Sequence, residues 1–258
     1  MRFPLRLSAA LFQSTMSGLL GGGSASAPIF RFSPCVTHFT SQARFDENST
    51  ELEWHSPAEG AVRARSISAP VVWIGGVEPL LHPEAGSFAN AIVSADRYVF
   101  FHTSGYNLRQ RIHEFRPDSR LFLTLEFAGR EEAHNRAVGR PDAFQRSIEA
   151  IRAAKLSGFH IGAHITVTPE TDTCDVGELI EFLDKKDVDG FIVTATGQTA
   201  GNSELAETLD GVRAMIRCGR WENFSRLLES SYAETVPVPI RGKLSPGSEN
   251  ACEEGDCA

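Results

Sequence analysis

The chain of 258 residues carries 41% apolar and 22% charged side chains, proportions ordinary for a globular protein and enough for one α/β barrel-type domain or two smaller ones. Its formal net charge of −8 argues against a nucleic-acid surface. Five cysteines, at positions 35, 174, 218, 252 and 257, follow no disulfide framework, and their odd number points to a reducing, cytoplasmic compartment.

At the N-terminus a basic start, a moderately apolar middle and the small residues Ser24–Ala27 imitate a secretory signal. Gln13, Ser14, Thr15 and Ser17 interrupt the middle, however, and Leu5, Leu7, Leu11, Met16, Leu19 and Leu20 follow a loose helical period. Residues 1–27 therefore read as a peripheral amphipathic helix. No run of about eighteen apolar residues exists, so no transmembrane span is expected.

From residue 28 onward, apolar runs alternate with helix-period segments. Residues 28–34, 70–76, 98–105, 120–127, 160–168 and 190–197 read as strands by their β-branched and aromatic content. Between them, Phe88, Ala91, Ile92 and Ala95 recur at helical spacing, as do Val176, Leu179, Ile180 and Leu183, and Leu205, Leu209, Val212 and Ile216. Pro141 and Gly158 bracket a further helix with Phe144, Ile148 and Ile151 inward. Strands this apolar suit a parallel sheet buried on both faces, with helical crossovers. Six such units fall short of the eight of a full barrel, so an incomplete barrel and an open doubly wound sheet both fit. Residues 36–69 should hold a loop and a crossover helix, yet are polar with weak periodicity. Residues 233–258, with three prolines, three glycines and the acidic run 249–256, read as a flexible tail that leaves a core of 28–232.

In parallel α/β sheets a ligand lies beyond the carboxyl ends of the strands. Those ends carry Pro34–Cys35, Gly75–Pro79, His102–Gly105, Thr124 with Glu126, His164 with Thr166 and Thr168, and Thr194 with Thr196 and Gly197. Singly, a threonine there caps a strand or helix. As a set, hydroxyls, glycines and carboxylates at one end of apolar strands point to a site for a small-molecule ligand. The turn 194–204 would present amides to an anion or simply be capped by Asn202 or Ser203. A nucleophile elbow, a zinc-protease H-E-x-x-H and a P-loop are all absent from the sequence.

The order of these parts resembles the radical S-adenosylmethionine (radical SAM) superfamily over about residues 28–216. "GVEPLLHPE" (76–84) is similar to the family's "GGEPLLHPE" turn after the second strand, with Val77 in place of a glycine. "HTSGYNL" (102–108) resembles its "TNG…L", and residues 123–159 resemble its stretch through the fourth strand and following helix. The resemblance implies a partial (β/α)6 TIM-type barrel, an α/β fold that agrees with the six units counted from periodicity. It also implies that Gly75, Gly76, Glu78 and Pro79 line the methionine end of S-adenosylmethionine, with Thr124 and Glu126 beside its ribose or the substrate. Glycine lets the main chain approach closely, and a carboxylate suits an ammonium. Val77 suits such a turn only where its φ is negative.

The family's [4Fe–4S] cluster is bound through C-x3-C-x2-C after the first strand. Here Cys35 stands at the first position, while Phe39 and Gln42 occupy the other two. One thiolate cannot hold the cluster in the usual way. His38 reads as a loop histidine, Cys174 and Cys218 as small residues in a loop and a helix, and Cys252 with Cys257 as a C-x4-C pair in the tail. Three readings follow. The first is a divergent radical-SAM-like barrel without a standard cluster, with a remnant S-adenosylmethionine pocket and an accessory or binding role beside a competent homologue. The second is an active enzyme whose cluster uses Cys35 with ligands from the tail or a partner chain. The third is an iron-free barrel enzyme or binding protein with Glu78, Glu126 and His164 as general acid/base candidates.

Overall fold

The computed structural model describes residues 3–20, 27–36, 52–195, 202–216 and 218–234. Six strands pair in chain order, all parallel: β1 (Ile29–Phe32), β2 (Val71–Ile74), β3 (Tyr98–Thr103), β4 (Leu121–Phe127), β5 (His160–Val167) and β6 (Gly190–Ala195). Unbroken sequential order with helical crossovers gives a partial (β/α)6 barrel rather than a doubly wound sheet, in which the order would reverse.

Ahead of the sheet runs α1 (Leu5–Leu20), and the connections hold α2 (Pro57–Ser66), α3 (Ala85–Ser94), the single turn α4 (Leu108–Arg111), α5 (Glu131–Val138), α6 (Ala143–Leu156), α7 (Thr173–Asp184) and α8 (Ser203–Ala214). After β6 and α8 comes α9 (Gly219–Glu234). The four helices expected from periodicity all form. The crossover helix expected within 36–69 is α2, whose start carries a capping box: the Ser56 hydroxyl accepts from Glu59 N–H at 3.3 Å, and the Glu59 carboxylate accepts from Ser56 N–H at 2.7 Å. Helices α4, α5 and α9 add to the reading, and α9 buries Trp221, Phe224 and Leu228. Residues 37–51 and the tail 235–258, including His38, Phe39, Gln42, Cys252 and Cys257, lie outside the described residues.

The two faces of the sheet differ. Outward side chains such as Val72, Val99, Phe101, Leu123, Leu125 and Ile161 are buried beneath the helices. On the inner face, the amino-terminal half is filled by rings. Phe100 stacks on Phe122 with centroids 4.7 Å apart and on Phe224 of α9 at 4.5 Å. Trp221 lies flat against β6, where a Cβ on Gly190 would fall 2.0 Å from its indole, so only glycine fits there. Phe3 meets Trp221 edge-on at 4.7 Å. Phe3, just ahead of α1, and Leu7 and Leu11 within it join the common core, whereas Leu5 and Met16, expected on the apolar face, are exposed. No helix among the described residues is long and apolar enough to cross a membrane.

A six-stranded half-barrel leaves a free edge on β6, and α9 covers it. The Val193 N–H donates to Ser225 Oγ at 3.0 Å, and the Ala195 N–H donates to Glu229 Oε1 at 3.2 Å. Residues four apart on a helix are spaced about 6 Å, close to two residues of strand, so Ser225 and Glu229 match alternate amides. Arg213, 3% exposed, donates to the Val193 carbonyl and to Glu229 Oε2 at 2.6 Å.

Candidate functional site

Above the aromatic floor, at the carboxyl ends of the strands, the inner face turns polar. Parallel pairing puts His102 beside Thr124, and Glu126 beside His164, on adjacent strands β3, β4 and β5. The rings of His102 and His164 meet through His164 Nδ1 and His102 Nε2, 2.8 Å apart, one of which donates to the other. His164 Nε2 lies 2.8 Å from Thr194 Oγ1 on β6. Glu126 Oε2 approaches His102 Nε2 at 3.8 Å, while Thr166 Oγ1 donates to Glu126 Oε1 at 3.0 Å. Trp73 of β2 forms a wall, its ring 5.0 Å from His102 and 5.4 Å from His164.

Burial lowers the pKa of His102, opposed by the carboxylates of Glu126 and Glu78. His164 is held well below the ordinary histidine value, by burial first and then by His102 and Arg31. Both imidazoles are therefore neutral at pH 7, the form that binds metals or accepts protons.

The glycine turn closes one side. Gly76 takes the left-handed conformation (φ 97°), and Val77 does not, so the β-branched residue is accommodated. A side chain at Gly75 would crowd the Trp73 indole nitrogen at 3.1 Å and approach His102, so its absence keeps the backbone bare towards the histidines. Glu78 acts as a clamp. Its Oε1 accepts from Leu80 N–H at 3.1 Å and Thr103 Oγ1 at 2.6 Å, and its Oε2 from Ser104 N–H at 2.9 Å. Pro79 opens the 3-10 turn Pro79–Leu81, in which Pro79 and Leu80 are buried and Leu81 is exposed. Thr124 sits fully buried below Glu126, its hydroxyl without a hydrogen-bond partner.

Of the residues singled out from sequence, Thr124, Glu126 and His164 thus meet on one inner face, and Gly75, Gly76, Glu78 and Pro79 form the adjoining rim. His102 stood in the list of strand ends without a role, and Trp73 passed as an ordinary strand residue. The signal for both was alternation: His102, Thr124, Glu126 and His164 lie on the inward face with Trp73.

Cys35 is buried just past β1, where it bridges to Trp54. Cys174 lies in the first turn of α7 and Cys218 just before α9. Among the described residues, the histidine, cysteine and carboxylate side chains that converge closely enough to share a metal are His102, Glu126 and His164, with no thiol among them. This donor set does not fit a [4Fe–4S] cluster, which needs thiolates.

Comparison with known proteins agrees on the architecture. Crystal structures of Streptococcus suis SuiB are similar: with precursor peptide SuiA bound, the TM-score is 0.54 at 15% identity over 78% of this chain and 45% of that one. With S-adenosylmethionine bound, it is 0.50 at 15% identity over 61% and 37%. A structure of TYW1 with a lysine-pyruvate adduct bound gives 0.51 at 12% identity over 81% and 90%. These likenesses concern the fold, and the chain spans less than half the length of SuiB. No curated protein matches the sequence. A sequence profile of the radical SAM superfamily matches residues 34–183, more than half of the chain. The chain belongs to the radical SAM superfamily.

Proposed function

We propose that this chain is a divergent radical SAM barrel that binds S-adenosylmethionine, or a small molecule with the same amino-acid end, without a standard [4Fe–4S] cluster. Its role is binding or accessory, beside a competent homologous enzyme. One observation carries the proposal: the glycine turn is firmly built while the C-x3-C-x2-C motif is missing from the sequence. Gly76 holds the left-handed backbone and Glu78 is fastened by three hydrogen bonds, yet Cys35 is the only cysteine before residue 174. In this reading Gly75, Gly76, Glu78 and Pro79 receive the methionine end, and Thr124 and Glu126 face the ribose or a second ligand. The free lone pair on Glu78 Oε2 suits an ammonium.

The test is anaerobic reconstitution with iron and sulfide, followed by iron and acid-labile sulfide analysis, EPR after reduction, and calorimetry with S-adenosylmethionine. We expect no sulfide-containing cluster, saturable binding of S-adenosylmethionine, and weaker binding in Glu78→Gln that still melts cooperatively. About four irons with sulfide per chain, lost in Cys35→Ala, would overturn the cluster-free reading. No heat of binding would remove the pocket.

A second reading, an iron-free barrel enzyme, draws on the His102–His164–Thr194 chain beside Glu126. Neutral imidazoles at a strand end suit general acid–base work. Glu78 is the weakest member of that set, because its carboxylate is engaged with the chain's own backbone.

A further inference from the structure

We propose that His102, Glu126 and His164 form a mononuclear site for a divalent first-row metal such as zinc or ferrous iron, separate from any iron–sulfur cluster. The ligand atoms come from three neighbouring parallel strands and all lie within 4.8 Å of one another. Two imidazoles and one carboxylate are a donor set that holds zinc or ferrous iron and leaves coordination positions open.

The surroundings are those of a built site. A metal-binding histidine needs its second nitrogen anchored, and the nitrogen of His164 that faces away from His102 is bonded to Thr194 Oγ1. A binding carboxylate needs one oxygen held so that the other is aimed. Thr166 holds Glu126 Oε1, and Oε2 points at His102. Beneath them the Thr124 hydroxyl is fully buried and has no partner, a polar group on the same inner face for which the chain itself supplies no hydrogen bond. Trp73 shields the flank. Without metal, a proton is shared between His102 Nε2 and His164 Nδ1, 2.8 Å apart. A metal takes that proton's place between the same two lone pairs, and the donating imidazole carries its proton on its other ring nitrogen instead, so both ligands stay neutral. The nearby charges compensate: Arg31 faces the two histidines, but Glu126 and Glu78 bring two carboxylates.

The site shares Glu126 and its neighbour Thr124 with the proposed S-adenosylmethionine pocket, but the metal is titrated without that ligand, so either reading can fail alone. Tag-free, chelator-stripped protein is titrated with cobalt(II) as a spectroscopic probe, then with zinc in competition. The expected result is about one cobalt per chain with a visible d–d band that zinc abolishes. Glu126→Gln, at a half-exposed position that tolerates the change, loses the band, and Thr166→Val weakens binding about 10-fold. His113→Gln, on an exposed residue, leaves it unchanged. His164→Gln also loses the band, and circular dichroism checks its fold; if it does not fold, Glu126→Gln decides. A missing band in the wild type, or one unaltered in Glu126→Gln, overturns the site.

Discussion

His134 shows how a single buried side chain ties stability to pH. It is 1% exposed on α5, ringed by Phe127 and Phe144, and neither ring nitrogen has a hydrogen-bond partner. Burial lowers its pKa to about 4, against a weaker opposing pull from Glu126. The unfolded chain protonates this imidazole near pH 6.5, whereas the folded protein does so only near pH 4. Stability is therefore complete above the upper value and falls as pH drops through the window, by about 3 kcal/mol from this group. In His134→Leu, urea denaturation is expected to show a smaller loss of stability between pH 7 and pH 4.5 than in the wild type. At neutral pH the variant should gain about 1 kcal/mol, because two unpaired polar atoms are gone. Equal pH slopes in the two proteins would refute this account. No pattern in the sequence marks His134, since an unpartnered nitrogen is a property of its neighbours. His102 and His164 share that limit: the chain places them 62 residues apart, and only β-pairing makes them touch.

Among the elements, α9 and β6 depend on each other. Buried Arg213 pairs with Glu229, whose side chain is 25% exposed, and Glu229 also satisfies an amide on the sheet edge. Removing the carboxylate leaves a buried guanidinium uncompensated and the Ala195 N–H without its acceptor. Glu229→Ala is expected to cost about 3–5 kcal/mol in chemical denaturation, and a loss below 1 kcal/mol would mean that α9 does not seal the edge. Of the helices not expected from periodicity, α2 and α9 carried readable signals. Ser56, Pro57 and Glu59 spell a capped helix start, and Trp221, Phe224 and Leu228 recur at helical spacing. What periodicity cannot supply is the docking of α9 against a strand, because Ser225 and Glu229 are polar and register on a helical wheel as solvent-facing.

Across the whole molecule, both chain regions flanking the strands converge on the amino-terminal floor. Phe3, just ahead of α1, packs on Trp221 and Phe224 of α9, which pack on Phe100 and Phe122 of the sheet. If the segment leading into α1 is part of one cooperative core, Phe3→Ala lowers global stability by about 2–4 kcal/mol in a single unfolding transition. A variant that unfolds at the wild-type midpoint would make that segment an independent appendage. With the floor filled by rings, the polar half of the inner face is left for ligands, as in barrels generally.

Strand number, helix period and the order of the glycine turn and later motifs were legible in the sequence, because burial on two faces and helical spacing are local patterns. So was the departure from C-x3-C-x2-C at Phe39 and Gln42, which is a matter of residue identity. Sequential strand order separated the half-barrel from the doubly wound alternative, since pairing is a long-range choice that composition does not encode. Tertiary structure alone joined His102, Glu126 and His164, turned Glu78 into a clamp between two loops, and put the left-handed backbone on Gly76 rather than Val77. Those outcomes depend on which strands lie side by side, and that is settled by packing the whole core at once.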